Sequence, residues 1–204
     1  MVTETWYSST ADVLNLPGYE SFFLNRSHRR GGGVLQLVSK QFACAVQPDL
    51  SEIIADYEVI TTQSENKLFA VIYRPPNGNI NRFFKFLETL LNFTITNKLQ
   101  IIIGGDCNIN LLGNTAASRE FQILLTSLSC GNVITEPTRI TDHSESLLDV
   151  FVTNNMSDCV KSGRIITGLS DHFPIYMIYK CNTFLKRKIS HSDSYTVRDI
   201  SSRT

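Results

Sequence analysis

An aspartate and an asparagine stand two positions apart, directly after an apolar run. The run covers residues 100–105, QIIIGG, and Asp106 and Asn108 follow it. Because strand side chains alternate, positions 106 and 108 project on the same side where the strand ends. A carboxylate and a carboxamide placed together suit a phosphate group or a hard metal ion. An Asx turn that caps a loop is the alternative interpretation of the same residues.

A second polar group lies near the C-terminal end, where Asp171 and His172 immediately precede the apolar stretch FPIYMIY. Aspartate offers oxygen to Mg²⁺, and histidine donates a hydrogen bond to a phosphoryl oxygen or shuttles a proton. Asp149 interrupts another apolar strand, where a carboxylate is costly unless it is paired. We therefore predict that Asp149 pairs with His172 and favours its charged form. His143, on a polar turn, is the alternative partner.

Two further groups of polar residues have a less specific signal. Tyr73 and Asn77 flank a proline pair where a strand ends, and Arg74 adds a positive charge there. Their polar tips suit a phosphate, although a buried tyrosine with a satisfied hydroxyl fits equally well. Glu4, in the segment ETW, is a candidate site residue only in combination with the other polar groups.

Short strands and two amphipathic helices must position these residues. Residues 57–63 and 67–76 predict one hairpin, and residues 34–40 and 42–48 predict another. The apolar run at 100–105 predicts a central strand covered on both faces. A cap at Asn79 or Asn81 and apolar residues at helical spacing predict a helix through 82–93, and a second helix fits 115–128. The pattern predicts a mixed α/β or α+β domain.

The composition restricts the class of protein. The chain has 204 residues, of which 42% are hydrophobic and 19% charged, so we expect one globular domain over residues 1–181 and a polar tail or linker over 182–204. Its formal net charge is zero, so binding to a polyanion needs local charge or a metal. Five cysteines without a CxxC pair indicate reduced thiols inside a cell. We see neither a signal peptide nor an apolar run that could span a membrane.

Five short motifs occur in a recognisable order. They are ETW at 4–6, IYRPPN at 72–77, GDCN at 105–108, LLDVFVTN at 147–154 and SDHFPI at 170–175. In that order they resemble the endonuclease/exonuclease/phosphatase superfamily. RRGGGV at 29–34 and PTR at 137–139 make the chain similar to the endonuclease domain of non-LTR retrotransposons. The likeness covers residues 3–180. It implies an α/β fold, a four-layer sandwich of two packed mixed sheets flanked by helices, with the active site at one rim.

The resemblance also implies a reaction, the Mg²⁺-assisted hydrolysis of a phosphodiester, with Mn²⁺ as an alternative ion. Asp106 matches the aspartate that activates the attacking water, and Asn108 would orient that water or the phosphate. His172 would bind a non-bridging oxygen as charge builds on it, with Asp149 holding the ring.

Metal and DNA contacts follow from the same likeness. Glu4 matches the metal-binding glutamate, and Asp171 would support the ion directly or through water. Tyr73 and Asn77 would contact the phosphate. Local positive charge for the DNA backbone would come from Arg29, Arg30, Arg74 and Arg139. For each of these arginines a solvated surface position is the alternative.

The chain departs from the superfamily pattern in two places. The superfamily carries an asparagine motif on a strand upstream of the glutamate, whereas this chain begins three residues before Glu4. We therefore expect the first strand and helix to be missing, an exposed sheet edge, and a poorly held Glu4. Cys107 stands where phenylalanine is frequent, and it is a small apolar substitute.

The expected partner is double-stranded DNA, with no membrane, and a reverse transcriptase domain in a longer parent protein. An enzyme that acts on chromosomal DNA is expected inside the cell, in the nucleus. Two alternatives stay open: a catalytically dead remnant of the domain, and a phosphatase of the same superfamily.

Overall fold

The structure is a computed structural model that describes residues 1–9, 13–26, 31–180 and 198–199. Its elements, in chain order, are β1 (Val2–Thr3), β2 (Tyr19–Leu24), β3 (Val34–Ser39), β4 (Ala45–Val46), β5 (Glu52–Ile53), β6 (Glu58–Ser64), β7 (Lys67–Tyr73), α1 (Ile80–Thr96), β8 (Gln100–Asp106), α2 (Ala116–Ser127), β9 (Gly131–Asn132), β10 (Arg139–Thr141), β11 (Ser144–Ser146), β12 (Asp149–Thr153), β13 (Cys159–Arg164), β14 (Ile175–Tyr179) and β15 (Arg198–Asp199). Two short 3-10 turns lie at Pro48–Leu50 and Met156–Asp158.

The larger sheet has seven strands in the order β4-β6-β7-β8-β12-β9, with β5 also paired to β6. β7 and β8 are parallel, and the other pairs are antiparallel. A parallel pair needs a crossover connection, and α1 supplies it. The position of β8 between β7 and β12 confirms the central strand predicted from its apolar run.

The end of β8 depends on a glycine. Gly105 has a φ of +146°, and a Cβ on it would overlap the backbone carbonyl oxygen of Ile72 on β7. Backbone atoms of a central strand cannot move aside without breaking the sheet. We therefore expect Gly105→Ala to destabilise the fold by about 3 kcal/mol or more.

The measurement for Gly105→Ala is equilibrium unfolding in denaturant. Gly168→Ala is the matched control, because a Cβ at Gly168 meets no atom within 4 Å. Equal midpoints for the two variants would contradict the proposed backbone collision.

The smaller sheet packs face to face on the larger one and has the order β1-β3-β2-β15. β15 is parallel to β2, and the other two pairs are antiparallel. The core between the sheets consists of buried side chains from both, namely Phe22, Leu24, Val34, Ile60, Val71 and Tyr73. These two packed mixed sheets, with helices on the outer face of the larger one, confirm the predicted α/β fold.

Both described helices cover the outer face of the larger sheet. The side chain of Asn79 caps α1 by accepting from the backbone N–H groups of Asn81 and Arg82. The buried face of α1 comprises Phe83, Phe84, Leu87, Leu90 and Leu91. Helix α2 begins with a capping box between Thr115 and Ser118. Both helices occur where the spacing of apolar residues predicted them. Within the described residues, neither helix is long and apolar enough to cross a membrane.

Two hairpins complete the rim of the sandwich. β10 pairs with β11, and β13 pairs with β14. The backbone of the segment before β14 is bound to the start of β10: Ile140 N–H donates to Asp171 O at 3.0 Å, and Phe173 N–H donates to Thr138 O at 2.7 Å. This connection places His172 beside Arg139.

Two expectations are corrected by the topology. The hairpin predicted over 34–48 does not form, because β3 lies in the smaller sheet whereas β4 pairs with β6 in the larger one. Glu4 was expected to be poorly held, but β1 pairs with β3 directly before it, and the N–H groups of Thr5 and Trp6 bond to carbonyls of the glycine segment 32–33. The predicted tail over 182–204 lies outside the described residues, except for β15.

Candidate active site

Three neighbouring strands carry polar side chains at the same edge of the larger sheet, and these side chains lie in one row. In the register of the larger sheet, Tyr73 on β7 stands opposite Asp106 on β8, and Asp106 stands opposite Asp149 on β12. Side chains in one row project on the same face of a sheet. Tyr73 belongs to the core between the sheets, so the row faces the smaller sheet at the rim of the sandwich.

Asp149 pairs with His172 rather than with the exposed His143. Asp149 Oδ2 lies 2.9 Å from His172 Nδ1. This hydrogen bond is the largest cause of a raised pKa for His172, and the charge of Asp149 adds to it. Thr138, which is fully buried, accepts from the N–H groups of Leu148 and Asp149 at 3.0 Å each and so fixes the start of β12. The imidazole is thereby oriented and biased toward its charged form.

Asp106 is a buried carboxyl, only 4% exposed, with another carboxylate directly opposite. Burial, followed by the negative charge of Asp149, raises its pKa to about 7. The backbone N–H of Asn108 and the charge of His172 act in the opposite direction. A carboxyl that titrates near neutral pH suits general-base catalysis.

Asn108 is locked against Asp106 by the turn that follows β8. Its N–H donates to Asp106 Oδ1 at 2.8 Å, which is an Asx turn, and its Nδ2 donates to Asp106 Oδ2 at 3.1 Å. Nδ2 also donates to Arg74 O at 2.9 Å, and the backbone φ of Asn108 is +48°. The two interpretations of the GDCN segment are therefore not exclusive, since the turn itself orients the site residues.

Arg74, which was predicted to contact DNA, is buried inside the protein. It is only 5% exposed. Its Nε, Nη1 and Nη2 donate to the carbonyls of Cys107, Gly78 and Asn108, each at 2.8 Å. The guanidinium therefore fastens the loop after β8 to the loop after β7, and the predicted contact with DNA is corrected to this structural role. Cys107 itself is buried.

Glu4 reaches the site through Tyr73. Burial raises the pKa of Tyr73, and a hydrogen bond between its hydroxyl and Glu4 raises it further. The charge of Glu4 also contributes to the raised pKa of Asp106. Glu4 itself is exposed.

Asp171 and Arg139, predicted to support the metal and to bind DNA, pair with each other. Arg139 Nε donates to Asp171 Oδ2 at 2.7 Å, with both side chains partly exposed. This bond is the largest cause of the lowered pKa of Asp171. Ser170 Oγ donates to Asp171 Oδ1 at 3.2 Å and accepts from His172 N–H at 3.1 Å. The pair lies at the edge of the site, beside His172.

Three predicted contacts remain, namely Asn77, Arg29 and Arg30. Asn77 is exposed in the turn after β7. Arg29 and Arg30 lie outside the described residues. Two further residues, Thr138 and Trp6, have contacts in the site that were not predicted from the sequence, although both lie in recognised motifs, PTR and ETW. Their position within these motifs was the only indication in the sequence that they belong to the site.

The donor set fits a hard divalent cation. In the described part of the chain, one group of side chains could hold a metal, formed by Asp106, Asp149 and His172, whose ligand atoms lie within 4.8 Å of one another. Glu4 and Asp171, the ligands predicted from the sequence, are not in that group. Carboxylate oxygens dominate the site, and Mg²⁺ and Mn²⁺ prefer such ligands.

The fold has several relatives among solved structures. The endonuclease domain of TRAS1, a telomere-specific non-LTR retrotransposon, has a TM-score of 0.63 at 14% identity and covers 82% of this chain and 83% of its own. An AP endonuclease from Archaeoglobus fulgidus has a TM-score of 0.61 at 15% identity, with 88% and 87% covered. An endonuclease/exonuclease/phosphatase family protein from Leptotrichia buccalis has a TM-score of 0.51 at 18% identity, with 80% and 72% covered. At these identities the likeness establishes the fold.

Sequence comparison identifies the family. No curated protein matches the chain. The family model described as "Endonuclease-reverse transcriptase" matches residues 67–176, more than half of the 204 residues. The matched segment runs from the start of β7 into β14 and contains Tyr73, Asp106, Asp149 and His172. The chain therefore belongs to the endonuclease-reverse transcriptase family, within the endonuclease/exonuclease/phosphatase superfamily.

Proposed function

We propose that the chain is a metal-dependent phosphodiester hydrolase that nicks one strand of double-stranded DNA, as the endonuclease domain of a non-LTR retrotransposon-type protein. The observation that carries the proposal is the cluster of Asp106, Asp149 and His172, in which a carboxyl with a pKa of about 7 lies beside an imidazole whose pKa is raised by Asp149. The family assignment and the likeness in fold to the TRAS1 endonuclease domain support the same reaction.

The two halves of the cluster have complementary tasks. Asp106, deprotonated, accepts a proton from the attacking water, while Asn108 keeps the carboxylate oriented. His172, charged through Asp149, donates to a non-bridging oxygen and stabilises the negative charge that develops on the phosphate. Water oxygen bonds to phosphorus, the bond from phosphorus to the 3′-oxygen breaks, and the products are a 5′-phosphate and a 3′-hydroxyl.

A divalent ion completes this chemistry. Glu4 is the proposed ligand at the mouth of the site, supported by Asp171 directly or through water. Mg²⁺, or Mn²⁺ in its place, supplies neutralisation of the phosphate and of the leaving 3′-oxygen when it is bound. Tyr73, which lies near Glu4, would border the phosphate together with Asn77.

DNA contacts outside the scissile phosphate come from local charge. Arg139, with 39% of its side chain exposed, can meet a neighbouring phosphate while its Nε remains on Asp171. Arg29 and Arg30 stay proposed backbone contacts. The proposed setting is the nucleus, where the nick would serve a reverse transcriptase segment of a longer parent protein.

Supercoiled plasmid tests the proposal. With Mg²⁺, the wild-type chain is expected to convert supercoiled plasmid into the relaxed, nicked form, and a chelator is expected to stop the reaction. His172→Ala is expected to slow nicking by about 10² to 10⁴-fold, because the donor to the phosphoryl oxygen is lost. His143→Ala is the matched control, since His143 is exposed in the turn between β10 and β11.

Three results would contradict the proposed nuclease activity. A wild-type chain that leaves the plasmid intact, or a His172→Ala variant that nicks as fast as His143→Ala, contradicts the proposed function. Release of phosphate from inositol phosphates, with plasmid left intact, would assign the site to a phosphatase instead.

A further inference from the structure

The segment that carries Glu4 has an unusual backbone. Glu4 has a φ of +53° and Trp6 a φ of +57°, a region that non-glycine residues enter at a cost of about 1 kcal/mol or more each. Such a conformation persists only where surrounding contacts impose it. Contacts with neighbouring segments must therefore hold residues 4–6 in this conformation.

The triple-glycine segment, residues 31–33, imposes this conformation. Thr5 N–H donates to Gly33 O at 3.3 Å, and Trp6 N–H donates to Gly32 O at 2.9 Å. A Cβ on Gly33 would overlap the hydroxyl of Thr5, and a Cβ on Gly31 would lie 3.9 Å from the Trp6 ring. Gly33 has no room for a side chain against Thr5, and Gly31 lies in ordinary contact distance of the Trp6 ring, so the GGG of the sequence forms a cradle for residues 5 and 6.

Trp6 uses that position to reach back to Glu4. Its indole Nε1–H donates to Glu4 Oε2 at 3.2 Å, across only two residues. On the inner side of the site, Glu4 lies close enough to Tyr73 to contribute to the raised pKa of its hydroxyl. The Glu4 side chain is therefore oriented by the indole donor, although it is exposed and long enough to adopt many rotamers.

We propose that Trp6 is a positioning residue for the metal ligand Glu4, with the glycine cradle 31–33 holding its indole N–H against the carboxylate. This inference rests on the proposed role of Glu4 in metal binding. A carboxylate that is already oriented loses less conformational freedom on binding an ion, so the bond from Trp6 strengthens metal binding. Loss of one such hydrogen bond is expected to weaken binding by about threefold to tenfold.

The chain provides its own probe, because Trp6 is its single tryptophan. Titration of the wild-type chain with Mg²⁺ alone is expected to change the Trp6 emission in a saturable way, and Mn²⁺ is expected to quench it. Glu4→Gln is expected to abolish the saturable response. A wild-type emission that does not respond to either ion would overturn the inference.

Calorimetric titration with Mn²⁺ tests the indole N–H itself. Trp6→Phe keeps an aromatic ring but removes the donor, and it is expected to bind Mn²⁺ about threefold to tenfold more weakly. Tyr19→Phe, which removes an exposed hydroxyl at the far end of β2, is the control and should bind as the wild type does. Equal affinities for Trp6→Phe and the control would overturn the positioning role, since a merely structural residue would leave metal affinity unchanged.

These measurements need no DNA cleavage, which separates the inference from the proposed function. A chain that binds Mn²⁺ with the expected Trp6 response but does not nick plasmid contradicts the nuclease proposal alone. A chain that nicks plasmid while Trp6→Phe binds Mn²⁺ normally contradicts the role of Trp6 alone.

Discussion

Replacement of Asp106 by asparagine is expected to abolish nicking while making the metal-free protein more stable at pH 8. The catalytic loss follows from the removal of the general base, which typically contributes about 10² to 10⁴-fold. An asparagine has nearly the same shape but cannot accept a proton from water. The rate is therefore expected to fall at every pH at which the wild-type chain is active.

The gain in stability follows from the sign of the pKa shift. Asp106 has a pKa of about 7 in the folded protein, above the ordinary value of 3.8. The folded state therefore holds its proton more tightly than the unfolded chain does, and stability falls as the pH rises from about 4 to about 7. Above that window, the ionised carboxyl costs the fold about 4 kcal/mol. Asparagine does not ionise, so it avoids this cost.

Part of this gain in stability is offset by weaker hydrogen bonds from Asn108. Its N–H and Nδ2–H both donate to the Asp106 carboxylate, and a carboxamide offers one acceptor oxygen instead of two. We expect a net stabilisation of about 2 kcal/mol at pH 8, which corresponds to a rise in melting temperature of about 4 to 8 °C for a domain of this size. Near pH 4 the advantage is expected to vanish, because Asp106 is then protonated in the folded protein.

Thermal unfolding of the metal-free proteins at pH 8 and pH 4 provides the measurement. Asp49→Asn is the matched control, since Asp49 is an exposed carboxylate in the short 3-10 turn and should change neither stability nor nicking. A melting temperature for Asp106→Asn that equals the wild-type value at both pH values would show that the Asp106 carboxyl is not destabilised by its surroundings.

Local sequence patterns were sufficient for the elements that form from neighbouring residues. The hairpin of β6 and β7 is predicted by two strand-forming runs and a polar turn, and α1 by its asparagine cap and the spacing of its apolar residues. The five ordered motifs also indicated the family, because a residue of the proposed site stands in each of them. These signals depend on neighbouring residues or on the order of motifs along the chain, so they can be recognised without knowledge of strand pairing.

Properties that depend on strand pairing could not be predicted in the same way. The row of Tyr73, Asp106 and Asp149 exists because β8 pairs with β7 on one side and with β12 on the other, in one register. The sequence alone does not fix that register. For the same reason the strands over 34–48 were wrongly joined into a hairpin, since both segments have the apolar character of strands but belong to different sheets.

Two charged residues illustrate a second limit. Arg74 and Arg139 are both next to recognised motifs, and both were predicted to contact DNA. Arg74 is instead buried against three carbonyl oxygens, whereas Arg139 is partly exposed and bonded to Asp171. Whether an arginine meets a backbone carbonyl or a phosphate depends on loops that fold against each other over more than thirty residues of sequence, and no local pattern records that contact.

Replacement of Asp149 by asparagine is expected to slow nicking by about 10² to 10³-fold and to move both limbs of the pH–rate profile toward lower pH. The Asp149 carboxylate raises the pKa of His172 through the bond at 2.9 Å, so its removal lets His172 lose its proton at lower pH. The same charge raises the pKa of Asp106 from across the strand pair, so its removal lets Asp106 become an active base at lower pH.

The direction in which each limb of the pH–rate profile shifts can be measured separately. Nicking needs Asp106 without its proton, which gives the rising limb, and His172 with its proton, which gives the falling limb. NMR titration of the His172 ring in the metal-free protein measures the second effect directly: its pKa lies above the ordinary 6.5 in the wild type and is expected to fall in Asp149→Asn. If the His172 pKa were unchanged in the variant, Asp149 would not be what keeps the imidazole charged. A rate lost without a shift of either limb would instead mean that the Asp149 carboxylate only orients the imidazole, through the bond at 2.9 Å to His172 Nδ1.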